Sequence, residues 1–173
     1  MPSMKAVIAS HNKKVLQNTE PERNTKTCNC ARGRKCPLEG KCLTTNIIYK
    51  ASISEVNKTV KKTYFGACAT TFKERFRNHT KSFKHAKYKT DTELSKEFWR
   101  LKKKTKKDPI VQWEIVKRAP AYNQATKRCT LCLQEKLKIA LYEGNDLLNK
   151  RNELVSQCRH QNKFALQIEK KKN

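Results

Sequence analysis

Hydrophobic and polar residues alternate along two neighbouring segments of the chain, Asn46 to Ile53 and Val60 to Ala67. In the first segment an apolar residue recurs at every second position, and the positions between include lysine and serine. A period of two is typical of a β-strand with one buried face. Because polar residues at 55–58 separate the two segments, the pattern predicts a β-hairpin.

Helical spacing replaces this alternation directly after the hairpin. Phe72, Phe76, His79 and Phe83 fall on one stripe of a predicted helix. Arg75 lies about 60° round that helix from Phe72, at about 100° per residue. We therefore expect Arg75 and His79 at the rim of the apolar face.

Three further elements are predicted between residues 91 and 142. Leucine and phenylalanine at positions 94, 98 and 101 indicate a helix that begins at Asp91 or Thr92. Positions 111–115 alternate as a third strand. Cys129 to Tyr142 is predicted as a helix ended by Gly144, and residues 150–156 as a further short helix.

The last long helix has two neighbouring lines of side chains. One line holds Leu133, Leu137 and Leu141, and the other holds Cys132, Glu135 and Ile139.

The chain of 173 residues is long enough for one compact domain with irregular ends. Residues 1–27 are polar without periodicity, which predicts a mobile linker or the remnant of an upstream domain. Residues 28–45 predict a Cys-rich knuckle made of loops. The main domain is expected at 46–164, followed by a basic tail at 165–173 that frays.

Positive charge dominates, with 40 Lys and Arg against 15 Asp and Glu and a formal net charge of +25. Such a surface favours nucleic acid as partner. The alternatives are a solvated basic face and a surface that docks on anionic lipid. Lipid is not favoured, because no helix pairs a broad apolar face with a basic one and no apolar run approaches the roughly 20 residues that span a bilayer. The candidate DNA contacts are Arg77, Lys81, Lys84, Lys102, Lys103 and Lys104. The block around Lys103 equally suits a nuclear import signal.

The chain has eight cysteines, whose state depends on the redox compartment of the protein. The short apolar stretch near the N-terminus is too brief for a signal peptide, so we expect an intracellular protein whose cysteines bind metal or are buried. Disulfides remain the alternative for a secreted chain, and Cys68 is assigned to packing.

Two sets of cysteines have spacings that suit structural Zn²⁺. The first set is either Cys28 or Cys30 with Cys36 and Cys42, or all four thiolates, although the single residue between Cys28 and Cys30 is a tighter spacing than the usual two to four. The second set is Cys129, Cys132, Cys158 and His160. Buried thiols at Cys132 and Cys158 are the alternative for the second set, which as a metal site would fasten the C-terminal segment to the helix of Glu135.

The order strand, strand, helix, helix, strand, helix resembles the GIY-YIG nuclease superfamily. The two tripeptides that give the family its name would be Ile47-Ile48-Tyr49 and Tyr64-Phe65-Gly66. The segments at 28–38, 129–136, 147–153 and 158–160 more narrowly resemble the endonuclease domain of Penelope-like retroelements. Ile47 departs from the family's usual glycine.

This resemblance implies an α/β fold with a small, mainly antiparallel three-stranded sheet flanked by helices. It also implies a Mg²⁺-dependent, or Mn²⁺-dependent, DNA endonuclease that nicks DNA. In the nucleus, the 3′ ends of the nicked DNA would prime reverse transcription at the target. The retroelement RNA and its reverse transcriptase would be further partners.

The resemblance also implies roles for single residues. Glu135 would hold the divalent cation, and Arg75 would bind the scissile phosphate. Tyr49 would be the general base or orient water with help from Tyr64, and the nearby cations favour its phenolate. His79 would share proton transfer or contact phosphate. Asn149 would fix a neighbouring group or the DNA backbone.

Taken singly, these residues have ordinary explanations. A strand tyrosine usually packs, an exposed arginine is usually solvated, and a helical glutamate usually forms an i,i+4 pair. Their conjunction in family order favours the functional interpretation. The rival hypothesis is a catalytically silent, zinc-dependent nucleic-acid-binding module.

Overall fold

A computed structural model of the protein describes residues 3–17, 26–31, 35–123 and 125–160. Its centre is a three-stranded sheet of β1 (Ile47–Ser54), β2 (Lys61–Cys68) and β3 (Ile110–Arg118) in the order β2-β1-β3. Both pairs of neighbouring strands are antiparallel. The predicted hairpin, third strand and small antiparallel sheet are therefore confirmed.

Helices α2 (Phe72–Lys84) and α3 (Glu93–Thr105) cover one face of the sheet. The hydroxyl oxygens of Thr71 and Thr92 cap the two helix starts by accepting backbone N–H groups. Thr92 is one of the two predicted start positions. Under these helices lies the main core, which contains Tyr49, Ala51, Ile53, Phe72, Leu94, Phe98 and Leu101.

The opposite face of the sheet is covered by α4 (Thr130–Ala140), whose Leu131 packs with Ile48. Strand β1 is therefore buried on both sides, and Ile48 is apolar because it faces α4. A short two-stranded ribbon, β4 (Tyr122–Asn123) with β5 (Arg128–Cys129), precedes α4. The sequence pattern did not predict this ribbon.

One prediction about the last long helix is wrong in detail. It ends at Ala140, two residues before Tyr142, so Gly144 does not terminate it. Of its side chains, Leu131 and Ile139 face inward, and the line of Leu133, Leu137 and Leu141 is exposed. The helix α5 (Arg151–Val155) confirms the predicted short helix at 150–156.

The N-terminal segment contains helix α1 (Met4–Gln17), where no regular structure was predicted. These fourteen residues include neither Gly nor Pro and are rich in Lys, Ala and other good helix formers, which explains the difference. Residues 36–43 form turns, as expected for the knuckle. The predicted basic tail at 165–173 lies outside the described residues, as do 18–25.

Across the part of the chain that the structure describes, no helix has both the length and the apolar character needed to cross a bilayer.

Candidate active site

Tyr49 lies at the centre of a hydrogen-bonded group between β1 and α2. Its phenolic oxygen is 2.8 Å from His79 Nε2 and accepts a hydrogen bond from Arg75 Nε at 3.0 Å. The ring packs edge-on against Phe72 and tilts against Trp113, and it is fully buried. The predicted rim position of Arg75 and His79 on α2 therefore brings both to the same phenol.

Burial raises the pKa of Tyr49 to about 12, although Arg75 acts in the opposite direction. Arg75 favours the Tyr49 phenolate, as expected, but burial has the larger effect on this pKa. Desolvation of the charged form outweighs the single guanidinium, because the phenol is completely enclosed. Tyr49 is a neutral O–H group at physiological pH.

His79 is neutral as well. Burial, together with the adjacent Arg75, lowers the pKa of His79 to about 3. The ring stacks on Phe83 and lies against Tyr49 and Trp113. A neutral imidazole has one acceptor nitrogen, so Nε2 is able to accept the Tyr49 proton.

Tyr64 lies beside this group, with its ring 6.2 Å from that of His79. It is opposite Ala51 in the strand register, on the same face of the sheet as Tyr49. Burial raises its pKa, and so does Tyr49. The two predicted tyrosines therefore share one site.

The close approach of the Tyr49 ring to β2 requires glycine at position 66. In the register Tyr49 is opposite Gly66, and a Cβ atom there would collide with the Tyr49 ring. Val116 is unpaired opposite Ile48 and Tyr49, which gives β3 a bulge next to the site. By contrast, the side chain of Ile47 is accommodated, because it is fully buried in the core.

Glu135 reaches the same region from α4 on the other side of the sheet. Burial raises its pKa, whereas the Ala67 backbone N–H and Arg75 lower it. Glu135 in turn raises the pKa values of Tyr49 and Tyr64. The carboxylate is therefore within electrostatic range of the other predicted site residues.

Asn149 fixes a neighbouring strand. Its Oδ1 accepts the Phe65 N–H at 2.7 Å, and its Nδ2 donates to the Phe65 carbonyl oxygen at 2.8 Å. Nδ2 also donates to Glu153 at 2.5 Å. Glu153 was missed as a site residue, and the only signal in the sequence was its i,i+4 spacing from Asn149.

The predicted DNA contacts lie along α2 and at the end of α3. Arg77, Lys81, Lys84 and Lys103 are exposed. Lys102 pairs with Asp108 at 2.7 Å, and Lys104 pairs with Glu55 at 2.8 Å, which leaves these two less available to phosphate.

The knuckle brings together Cys28, Cys30, Cys36 and Cys42, whose sulfur atoms lie within 4.8 Å of one another. Cys42 Sγ is 3.5 Å from that of Cys28 and 3.6 Å from that of Cys30. Ligands around a tetrahedral zinc are about 3.5–3.8 Å apart, and a disulfide needs about 2.05 Å. The four thiols therefore fit Zn²⁺.

This knuckle is attached to the helix of Arg75 and His79. The Lys73 N–H donates to the Cys42 carbonyl oxygen at 2.8 Å, and Lys73 Nζ donates to Asn29 Oδ1 at 2.5 Å. A metal in the knuckle would therefore hold the start of α2 in place.

A second cluster joins Cys129, Cys132, Cys158 and His160, again with ligand atoms within 4.8 Å. His160 Nδ1 is 3.1 Å from Cys132 Sγ and 3.6 Å from Cys129 Sγ. Cys129 caps α4, the helix of Glu135. All eight cysteines are free thiols, and Cys68 is buried, as predicted.

No family model, curated protein or solved structure matches this chain.

Proposed function

We propose that the protein is a metal-dependent DNA endonuclease of the GIY-YIG type that nicks DNA. The single observation that carries this proposal is the hydrogen-bonded set of Arg75, Tyr49 and His79, with the Glu135 carboxylate in its electrostatic field. Phosphodiester hydrolysis needs a positive charge beside the phosphate, a carboxylate that holds a metal ion, and a path for the proton of the attacking water. Arg75, Glu135, and Tyr49 with His79 would supply these in turn.

Glu135 would hold Mg²⁺, or Mn²⁺. Its surroundings suit a hard divalent cation, because a carboxylate whose pKa is raised by burial is stabilised by a positive charge beside it. When bound, the cation neutralises charge on the phosphate and lowers the pKa of water.

Arg75 would bind the scissile phosphate. The Tyr49 oxygen raises the pKa of Arg75 and burial opposes it, so the guanidinium remains charged. Its Nε–H donates to Tyr49, and its four other N–H groups are the donors that we assign to phosphate. The hydrogen bond to Tyr49 also fixes the plane of the Arg75 guanidinium.

Tyr49 would orient the attacking water and relay its proton. As the water oxygen bonds to phosphorus, its proton passes to the Tyr49 oxygen and the phenolic proton passes to His79 Nε2. The P–O3′ bond breaks, and the departing O3′ takes a proton from solvent water, which leaves a 3′-hydroxyl and a 5′-phosphate. Because the pKa of His79 is about 3, it holds that proton only briefly.

The biological role that we propose is to supply 3′ ends for target-primed reverse transcription of a Penelope-like retroelement in the nucleus. The net charge of +25 supports nucleic acid as the partner, and the two thiol clusters support structural zinc.

A supercoiled plasmid with Mg²⁺ tests the proposed activity. The protein is expected to produce relaxed circles, Glu135→Ala to produce none, and Arg75→Ala to produce far fewer, while all three retain DNA in a gel-shift assay. Glu143→Gln, on an exposed residue just past α4, is the matched control and keeps full nicking.

The rival, a silent zinc-dependent nucleic-acid-binding module, is favoured by one observation, the neutral and buried state of Tyr49. It predicts plasmid retention without relaxed circles from any of these proteins.

A further inference from the structure

A groove of about 600 Å³ lies between α3 and the short 3-10 helix Ala86–Tyr88. Trp99 is part of its wall. Of the described residues that line the groove, six are Lys or Arg and none is Asp or Glu. An aromatic ring inside a cationic groove is the combination that single-strand-binding proteins use.

Among the described residues, three of these cations have no acidic partner. Lys96, Arg100 and Lys102 form ion pairs with neighbouring carboxylates. Within the described ranges, no salt bridge involves Lys89, Lys103 or Lys106, all of which are exposed. The wall of the groove therefore carries uncompensated positive charge that suits phosphates.

The Trp99 ring is held in a fixed orientation. Its indole N–H donates to the Ser82 carbonyl oxygen at 2.8 Å, and the side chain is half-buried. Lys102 Nζ lies 5.3 Å from the ring centroid. Because the orientation is already fixed, a base that stacks on this ring costs little side-chain entropy.

A second aromatic residue continues the same surface. Tyr88 belongs to the 3-10 helix whose neighbouring residues Ala86 and Lys89 line the groove. Lys81 Nζ and Lys87 Nζ lie 4.6 and 4.8 Å from the centroid of its ring. Aromatic rings and lysines thus alternate from the end of α2, through the 3-10 helix, to the second half of α3.

We propose that this groove binds single-stranded nucleic acid, with an unpaired base on Trp99 and flanking phosphates on Lys89, Lys103 and Lys106. In a duplex the faces of the bases are stacked on one another, so a ring set in a groove cannot reach them. Unpaired bases are free to enter, and every base has a face that stacks.

The groove is separate from the candidate active site. Ser82, which holds Trp99, is seven residues beyond Arg75 on α2, a rise of about 10 Å. The groove needs neither Glu135 nor a divalent cation. Binding in this groove is therefore distinct from the proposed cleavage, and either one can be present without the other.

Fluorescence anisotropy with labelled oligothymidylate, in buffer without added divalent cation, measures this binding on the full chain. Trp99→Leu is expected to raise Kd on the order of tenfold, and Trp99→Phe to restore most of the affinity because a ring remains. An equally long duplex should bind more weakly and be insensitive to Trp99→Leu. Oligouridylate in place of oligothymidylate shows whether the groove distinguishes RNA from DNA.

The lysines are tested as a set. The triple variant Lys89→Ala, Lys103→Ala, Lys106→Ala should weaken single-strand binding and reduce its salt dependence. A charge-matched control, Lys5→Ala, Lys26→Ala, Lys138→Ala, changes three exposed lysines outside the groove and should do much less.

Tryptophan fluorescence distinguishes stacking from a merely structural role. The chain has two tryptophans, so Trp99→Phe leaves only Trp113 to emit. Oligothymidylate should quench the parent and leave Trp99→Phe nearly unchanged. Equal quenching in both proteins, an unchanged Kd in Trp99→Leu, or equal loss of duplex and single-strand binding would each overturn the proposal.

Discussion

The side chain of Asn149 pairs with the backbone of Phe65 as a neighbouring strand would, accepting its N–H at 2.7 Å and donating to its carbonyl oxygen at 2.8 Å. Phe65 lies between Tyr64 and Gly66 on β2. Asn149, which is far away in sequence, thus holds the segment of β2 that carries Tyr64. The same segment contains Gly66, whose missing side chain leaves room for the ring of Tyr49.

Asn149→Ala is expected to destabilise the protein by about 1–3 kcal/mol, because it leaves two partly buried backbone groups without partners. Chemical unfolding measures this loss. Asn152→Ala, three residues further on α5 and exposed, is the control and should change stability little. Equal stability of the two variants would show that the Asn149 amide does not support β2.

Tyr49→Phe tests the relay separately from packing. The ring is kept, so the core stays filled, but Arg75 Nε loses its acceptor and His79 its phenolic partner. We expect nicking to fall by at least about 100-fold, within the range of a lost general base, with DNA affinity unchanged. Tyr122→Phe, on β4, should nick like the parent. A Tyr49→Phe protein with normal nicking would contradict the relay.

His79 should make the fold sensitive to acid. Its folded pKa of about 3 is below its unfolded value near 6.5, so between these values only the unfolded state takes up the proton. This contribution to stability is complete above about pH 6.5 and is lost as pH falls towards 3.

His79→Gln should therefore reduce the slope of stability against pH in that window, by up to about 1.4 kcal/mol per pH unit. Urea unfolding at several pH values measures the slope. The exposed ring of His85 provides the control, since His85→Gln should keep the parent slope. The same slope in His79→Gln and the parent would mean that the imidazole is not buried neutral.

Metal content tests the two thiol clusters. We expect about two zinc ions per chain, one per cluster, and about one in Cys132→Ser, together with a lower melting temperature. Cys68→Ala, at a buried thiol outside both clusters, should keep both ions. Elemental analysis after dialysis gives the count, and a parent protein without zinc would contradict this part of the account.

The sequence predicted the elements whose side chains repeat regularly. Alternation identified β1 and β3, and the spacing of Phe72, Phe76 and His79 identified α2 with Arg75 at its rim. These predictions succeeded because burial of one face imposes the period that the residues show.

Other features depend on contacts that no local pattern records. The exposed line of Leu133, Leu137 and Leu141 could not be distinguished from the buried one of Leu131 and Ile139, because both are apolar at helical spacing. The raised pKa of Tyr49 follows from its enclosure by Phe72 and Trp113 on other elements. The attachment of Asn149 to Phe65 follows from the course of the segment around Leu147, which runs along the outer edge of β2.

The central claim is that Arg75, Tyr49 and Glu135 act on one phosphate, and the single-turnover nicking rate of plasmid already bound to protein tests it most directly. With Mg²⁺ present, Glu135→Gln should be at least about 1,000-fold slower than Glu143→Gln, at equal occupancy of the DNA. Equal rates for these two proteins would contradict the account.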